Sequence, residues 1–356
     1  MPPDSPHSLR PVESAPGDRA FLATFGATFL GLALVLATLV RFTDPLAVFG
    51  SGLLPPIVSA DRDYKAGLYR RAPRRPTIVV LGSSRVKTLR PAAIEALTGE
   101  PAFNFGVNAG VAEDYLAILR FLRSDPRFAV REILLGADPE SFTGEPGGGR
   151  ALQSSRVLAR YAPISSSDLP TASTRVADLL SSESVAAAFR SLGRRYWPRA
   201  ELPQEAIAPD GWQTHPRWDA EIASHDVDQR ERVRQSIAGV SGRYHSGLRL
   251  SPSRIALLER FLREARMSGV KVTAFIPPVH PDLERGASGT LSSLTSEMVG
   301  VLLEAERRGL LRYAPTAGHA VDPMLYYDAI HMMADNGDRL LRRLYCDGRG
   351  RDCAVQ

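Results

Sequence analysis

Twenty-one consecutive residues near the N-terminus, Ala20 to Val40 (AFLATFGATFLGLALVLATLV), carry no charge and are bracketed by Arg19 and Arg41. Wound as an α-helix at 1.5 Å per residue, such a run is about 30 Å long, the thickness of a bilayer's hydrocarbon core. The run is longer than the 7 to 15 apolar residues usual in a cleaved signal peptide, and the cleavage-like Val58-Ser59-Ala60 lies far downstream, so an uncleaved anchor is expected. Arg10 and Arg19 before the run, against Arg41 after it, favour a cytoplasmic N-terminus and a body outside the cytoplasm. No other stretch is apolar for long enough to cross a membrane. With 356 residues, 44% hydrophobic and 23% charged, the remainder is large enough for a substantial core. The formal charge of +5 comes from arginines spread along the chain, with lysine only at 65, 87 and 271. A nucleic-acid partner, which would concentrate charge on one face, is not expected. Cys346 and Cys353 are the only cysteines. They are too few for a zinc cluster and able to pair if the compartment is oxidising.

Beyond a juxtamembrane stretch (41–76) containing the basic cluster Arg70, Arg71, Arg74 and Arg75, the pattern alternates between short apolar runs and amphipathic segments. That alternation is the signature of a parallel α/β sheet. Strands are expected at Thr77–Leu81, Ala102–Phe105, Glu132–Leu135, Val270–Ile276 and Leu311–Tyr313. Helices are expected at Pro91–Leu97, Tyr115–Leu122, Ser251–Arg266, Met298–Arg308 and after Asp335. The core therefore divides into 77–143 and 251–346, with tails at 1–19 and 347–356. Between the halves, 144–250 reads as an insertion or cap, because a connection that long needs structure of its own. It includes serines 165–167 and a helix around Ser182–Arg194.

Open parallel sheets gather chemistry at the carboxyl ends of their strands. Gly82-Ser83-Ser84-Arg85 follows the first strand directly. A serine on a tight turn there can present its hydroxyl to a cleft beside free backbone N–H groups, although serines after strands are also common turn residues. Near the C-terminus, Asp328-Ala329-Ile330-His331 sets a carboxylate three residues before a histidine. The Asp can accept from one imidazole nitrogen and leave the other for a serine hydroxyl. The plain alternative is a surface ion pair. Either Ser83 or Ser84 can be the residue facing the cleft.

Together these blocks resemble the SGNH/GDSL hydrolase superfamily, with its Gly-Asp-Ser block after the first strand and its DxxH block before the last helix. The resemblance implies a flavodoxin-like parallel sheet flanked by helices, with Ser84, His331 and Asp328 as the catalytic residues. Within Asn104-Phe105-Gly106-Val107-Asn108-Ala109-Gly110 it implies Gly110 as an oxyanion N–H donor, and Asn108 is a further candidate amide. The third block departs from the family: Gly136-Ala137-Asp138-Pro139 puts Asp138 where an asparagine is usual, and an ionised carboxylate accepts hydrogen bonds but cannot donate them. The anchor, the Gly-Ser-Ser start and the long insertion are similar to the membrane-tethered branch associated with teichoic-acid D-alanylation and exopolysaccharide acetylation. That implies an esterase or O-acyltransferase acting on an envelope glycan or other acylated polymer, with the bilayer and an integral-membrane acyl-donor protein as partners. A catalytically reduced domain that binds or scaffolds polymer is the alternative.

Further residues carry two readings each. Arg85 either attracts an anionic substrate group or makes a structural salt bridge. His280, in Pro277-Pro278-Val279-His280-Pro281, either faces the cleft or sits in a rigid proline turn. Trp197, Trp212 and Trp218 all fall in the insertion, as a sugar-stacking platform, a membrane-interface belt or a small core. His215, Asp219, His225, Asp226 and Asp228 have no metal-specific spacing, so neither a metal nor a cofactor is expected.

Overall fold

The computed structural model describes residues 16–45, 54, 61–144, 150–153, 155–163, 179–196, 202, 205–244, 248–286, 289–316 and 322–346. Expectations that concern serines 165–167, Trp197, Cys353, residues 1–15 of the N-terminal tail and the C-terminal tail fall outside those residues; residues 16–19, expected in the tail, belong to the first helix.

The centre is a parallel five-stranded sheet. Its strands are β1 (Ile78–Leu81), β2 (Ala102–Asn104), β3 (Glu132–Gly136), β6 (Lys271–Phe275) and β7 (Arg312–Tyr313), in spatial order β2-β1-β3-β6-β7. Counting only these five, the order is 2-1-3-4-5, the flavodoxin-like arrangement. β1 and β3 are buried along their whole length, which is why their sequences run apolar without alternating. Alternate residues serve opposite faces. Val79, Leu81, Ile133, Leu135 and Val272 pack on one side, against α2 (Asp61–Arg71), α4 (Ala112–Ser124), α9 (Pro252–Met267) and α11 (Thr290–Arg307). Ile78, Val80, Leu134 and Phe275 pack on the other, against α3 (Pro91–Thr98) and α12 (Ala334–Cys346).

The N-terminal helix α1 (Pro16–Thr43) contains a segment, Arg19–Thr43, long and apolar enough to cross a membrane. Its phenylalanines at 21, 25 and 29 are exposed.

Two segments differ from the sequence reading. Within 41–76, read as a linker, α2 buries Asp61, Arg62, Lys65, Ala66 and Tyr69 against the core. Three of those five residues are charged, so the helix has no apolar stripe to betray it. The 144–250 segment leaves and returns side by side, through an antiparallel bridge between Thr143 and Leu250. Its first described part nevertheless joins the core: Leu152, in the short helix α5 (Arg150–Gln153), and Leu158 after it pack in the main cluster. Asp63 accepts from Ser155 Oγ and from the N–H groups of Arg156 and Val157. Further on come α6 (Ser182–Tyr196), the hairpin of β4 (Ala206–Ile207) and β5 (Gln213–Thr214), α7 (Pro216–Ala223) and α8 (Gln229–Tyr244). The remaining helix, α10 (Pro281–Gly286), follows β6.

Candidate active site

At the carboxyl end of β1 the chain turns on Gly82, at φ 155°, where a Cβ would lie 2.8 Å from Val86 Cγ2 and 3.0 Å from Gly136 O. Only glycine lets this turn settle so close to the end of β3. A 3₁₀ turn, Ser84–Val86, follows at once. Ser83 caps it, its Oγ accepting from Arg85 N at 3.3 Å, and Ser83 is buried. Ser84 is half-buried, and its hydroxyl lies 2.9 Å from His331 Nε2. The structure thereby separates the two serines into a cap and a residue facing the imidazole.

His331 sits in a tight loop closed by an antiparallel bridge between Tyr326 and Met332. Asp328 organises that loop. Its Oδ1 accepts from the backbone N–H groups of Ile330 (2.9 Å) and His331 (2.8 Å), and its Oδ2 lies 2.7 Å from His331 Nδ1. Burial pushes the Asp328 carboxyl upward, but the hydrogen bond and positive charge of His331, with the two backbone donors, hold it below its ordinary range. An ionised Asp328 on Nδ1 keeps that nitrogen protonated and leaves Nε2 free to accept from Ser84.

The other expected residues are brought close but are employed differently. Gly110 packs against the serine turn, where a Cβ would lie 3.0 Å from Gly82 O and 3.3 Å from Ser83 Cα. Its N–H makes a long 3.3 Å bond to Val107 O. Asn108 is held through its backbone by α2, its N–H donating to Asp61 Oδ2 and its carbonyl accepting from Arg62 Nη2 at 3.1 Å. Its Oδ1 accepts from Lys87 Nζ.

Arg85 is turned into the fold. It is 4% exposed, with Nε 2.9 Å from Asp138 Oδ1, Nη1 3.2 Å from Glu140 Oε2 and Nη2 on Pro277 O. His280 likewise belongs to a proline turn. Its Nε2 lies 3.1 Å from Pro323 O, and its Nδ1 accepts from Asp282 N at 3.1 Å. Asp138 is buried beneath the serine turn. Desolvation holds its carboxyl above the ordinary range, Arg85 pulls against this, the charge of Glu140 adds to it, and its Oδ2 accepts from Ser83 N at 3.3 Å. Its charge is thus spent on an internal ion pair and a loop amide.

Two asparagines that the sequence reading passed over also hold the site. Asn104, fully buried at the end of β2, donates from Nδ2 to Val86 O and Leu89 O, both at 2.8 Å, and accepts Gly106 N–H at 2.9 Å. It ties the serine turn to the second loop. Asn336, on α12, donates to Asp322 O and Leu325 O and so fixes the approach to the histidine loop. A polar residue closing an apolar strand was the available signal for Asn104.

The insertion reaches the site. Trp212 Nε1 donates to Thr88 O at 3.2 Å, and Trp218 stacks on His215 with ring centroids 4.8 Å apart. These two tryptophans join the insertion to core loops instead of forming a separate core. Asp219 accepts from Tyr327 Oη, and Asp228 accepts from N–H groups at the start of α8. Among the described residues no group of three or more His, Cys, Asp or Glu is disposed to hold a metal ion.

No family model matches the chain, and no curated protein matches it. Among solved structures, a Streptococcus pneumonia protein described as a candidate platelet activating factor is similar over 81% of this chain and 90% of its own, at 12% identity and a TM-score of 0.35.

Proposed function

We propose that the chain is an SGNH-like serine esterase or O-acyltransferase. On this reading it is anchored by α1 with its N-terminus in the cytoplasm, and acts outside the cytoplasm on acyl esters of a cell-envelope glycan or other polyol polymer. The observation carrying the chemistry is the line Ser84 Oγ, His331, Asp328, with contacts of 2.9 and 2.7 Å drawn from the two ends of the sheet-forming sequence. His331 Nε2 takes the Ser84 proton as Oγ bonds to the acyl carbonyl carbon. The same proton then passes to the leaving alcohol as its C–O bond breaks, which leaves an acyl-serine. A second hydroxyl repeats the sequence in reverse: water gives hydrolysis, a sugar or polyol hydroxyl gives transfer. The Ser84 N–H, at the first position of its 3₁₀ turn, has no intrahelical acceptor and is available to the oxyanion. Gly110 N–H is the second donor once it leaves its long bond to Val107.

A catalytically reduced scaffold is the second reading, favoured by Asp138 standing where the family has an amide donor. One experiment separates the two. A fluorophosphonate probe should label the wild type and fail on Ser84→Ala, while Asp328→Asn should slow hydrolysis of p-nitrophenyl acetate by about 10³ to 10⁴, through loss of the correct imidazole tautomer. A folded wild type that takes no label is the scaffold.

A further inference from the structure

The β4–β5 hairpin is laid along one edge of the candidate site. Asn104 N–H donates to Asp210 O at 2.9 Å, and Gln213 N–H donates to Lys87 O at 3.1 Å, three residues past Ser84. The His215 ring lies 4.9 Å from that of Tyr327, whose backbone N–H donates to His331 O at 2.9 Å. The hairpin therefore touches the end of β2, the serine turn and the histidine loop together. Gln213 lies in β5 and His215 directly before α7, and both are buried.

Both side chains have unmet hydrogen-bonding capacity. Gln213 is 1% exposed and neither its Nε2 nor its Oε1 has a partner; His215 is 4% exposed and its Nδ1 has none. Leaving a buried polar atom unpaired costs about 1–3 kcal/mol, so three such atoms within three residues of chain call for an occupant. The cluster is neutral at its centre. Burial pushes His215 down to about 4, with Glu205 and Asp219 opposing this and the positive charges of Lys87 and His331 adding to it. Lys87 itself is satisfied by Asn108 Oδ1 and, at 3.6 Å, by Glu205. An amide and an uncharged imidazole each offer a donor and an acceptor. That matches hydroxyl groups, which donate and accept, better than a carboxylate or phosphate, which only accepts.

We propose that Gln213 and His215 form an acceptor subsite that hydrogen-bonds the hydroxyl groups of a sugar or similar polyol and holds it for acyl transfer from Ser84. The inference rests on the acyl-enzyme reading above and assigns the hairpin to the second half-reaction. It also favours transfer over hydrolysis, because a site that binds the acceptor competes with water.

The test uses the full-length protein with p-nitrophenyl acetate as acyl donor and glycerol or methyl β-glucoside as acceptor. Acetylated polyol is measured by mass spectrometry, and all rates are normalised to the fraction of protein labelled by fluorophosphonate. Wild type should form acetylated polyol. Gln213→Leu and His215→Phe should each lower the transfer-to-hydrolysis ratio about tenfold, the worth of one lost hydrogen bond. Gln213→Leu should leave Tm unchanged or raised, since it removes unpaired buried atoms without removing volume. A wild type that labels but forms no acetylated polyol overturns the subsite, as do unchanged ratios in both variants or a Tm several degrees lower in Gln213→Leu. A wild type that does not label overturns the acyl-enzyme reading itself.

Discussion

Replacing Asp138 with asparagine would put an amide donor beneath the serine turn, yet the surroundings of Asp138 argue for a loss. Its Oδ1 lies 2.9 Å from Arg85 Nε, and both side chains are almost fully buried. Breaking a buried pair by neutralising one partner costs on the order of 3 kcal/mol, because the other charge stays desolvated. Glu140 remains beside Arg85 at 3.2 Å, but it is about one-third exposed and compensates less. Asp138→Asn should therefore lower Tm by several degrees and reduce p-nitrophenyl acetate turnover. Thermal melts and initial rates measured together check this, and a variant that is faster at unchanged Tm would mean Asp138 stands in for a missing donor. The same pair shows what the sequence could and could not reveal. Asp328 and His331 stand out in the sequence as one short block, and the serine only as one of the pair Ser83 and Ser84, which the fold tells apart. Arg85 and His280 were ambiguous, because their partners, Asp138, Glu140, Pro277 and Pro323, are distant in the chain or carry no side-chain signal.

Among the elements, α2 shows most clearly where pattern reading fails. Strands β1, β3 and β6 announce themselves as apolar runs, and α9 as an apolar stripe with Ser251 accepting Arg254 N–H at its start. α2 instead packs through charge. Arg62 Nε and Nη2 reach the two oxygens of Asp114 at 2.7 and 2.9 Å, and Lys65 Nζ donates to Gly106 O at 2.7 Å. The helix thus grips the second loop, which carries Asn108 and Gly110, from beneath. Burial lowers Lys65 to about 7, with Lys87 adding to this and Asp61, Glu205 and Asp210 opposing it. The unfolded lysine titrates near 10.5, so between about pH 7 and 10.5 the unfolded chain binds more protons at this position and stability rises with pH. Below pH 7 the buried ammonium is charged in both states and its cost is fully present. Urea midpoints of wild type minus Lys65→Met should therefore move in favour of wild type from pH 7 to pH 10. Parallel midpoints across that range would show that Lys65 keeps an ordinary affinity for its proton.

For the whole molecule, the apolar N-terminal helix and the C-terminal cysteine bear on the proposed placement of the sheet outside the cytoplasm. α1 exposes apolar residues around most of its circumference, Phe21, Leu22, Phe25, Phe29 and Leu30 among them, a pattern suited to lipid on every side. Cys346, on the last helix, is disulfide-bonded, and disulfides persist where the surroundings are oxidising. Its one possible partner within the chain is Cys353, outside the described residues. The proposed topology, a cytoplasmic N-terminus followed by an extracytoplasmic body, makes a direct prediction. Alkaline phosphatase, which folds only in an oxidising compartment, should be active when fused after residue 346 of the anchored chain and inactive when residues 1–43 are deleted. The intact fusion should stay in the membrane pellet through carbonate extraction at the mass of the uncleaved chain. Release into the supernatant at a shortened mass would make α1 a cleaved leader, and an inactive fusion retained in the pellet would place Ser84 in the cytoplasm, away from any envelope polymer.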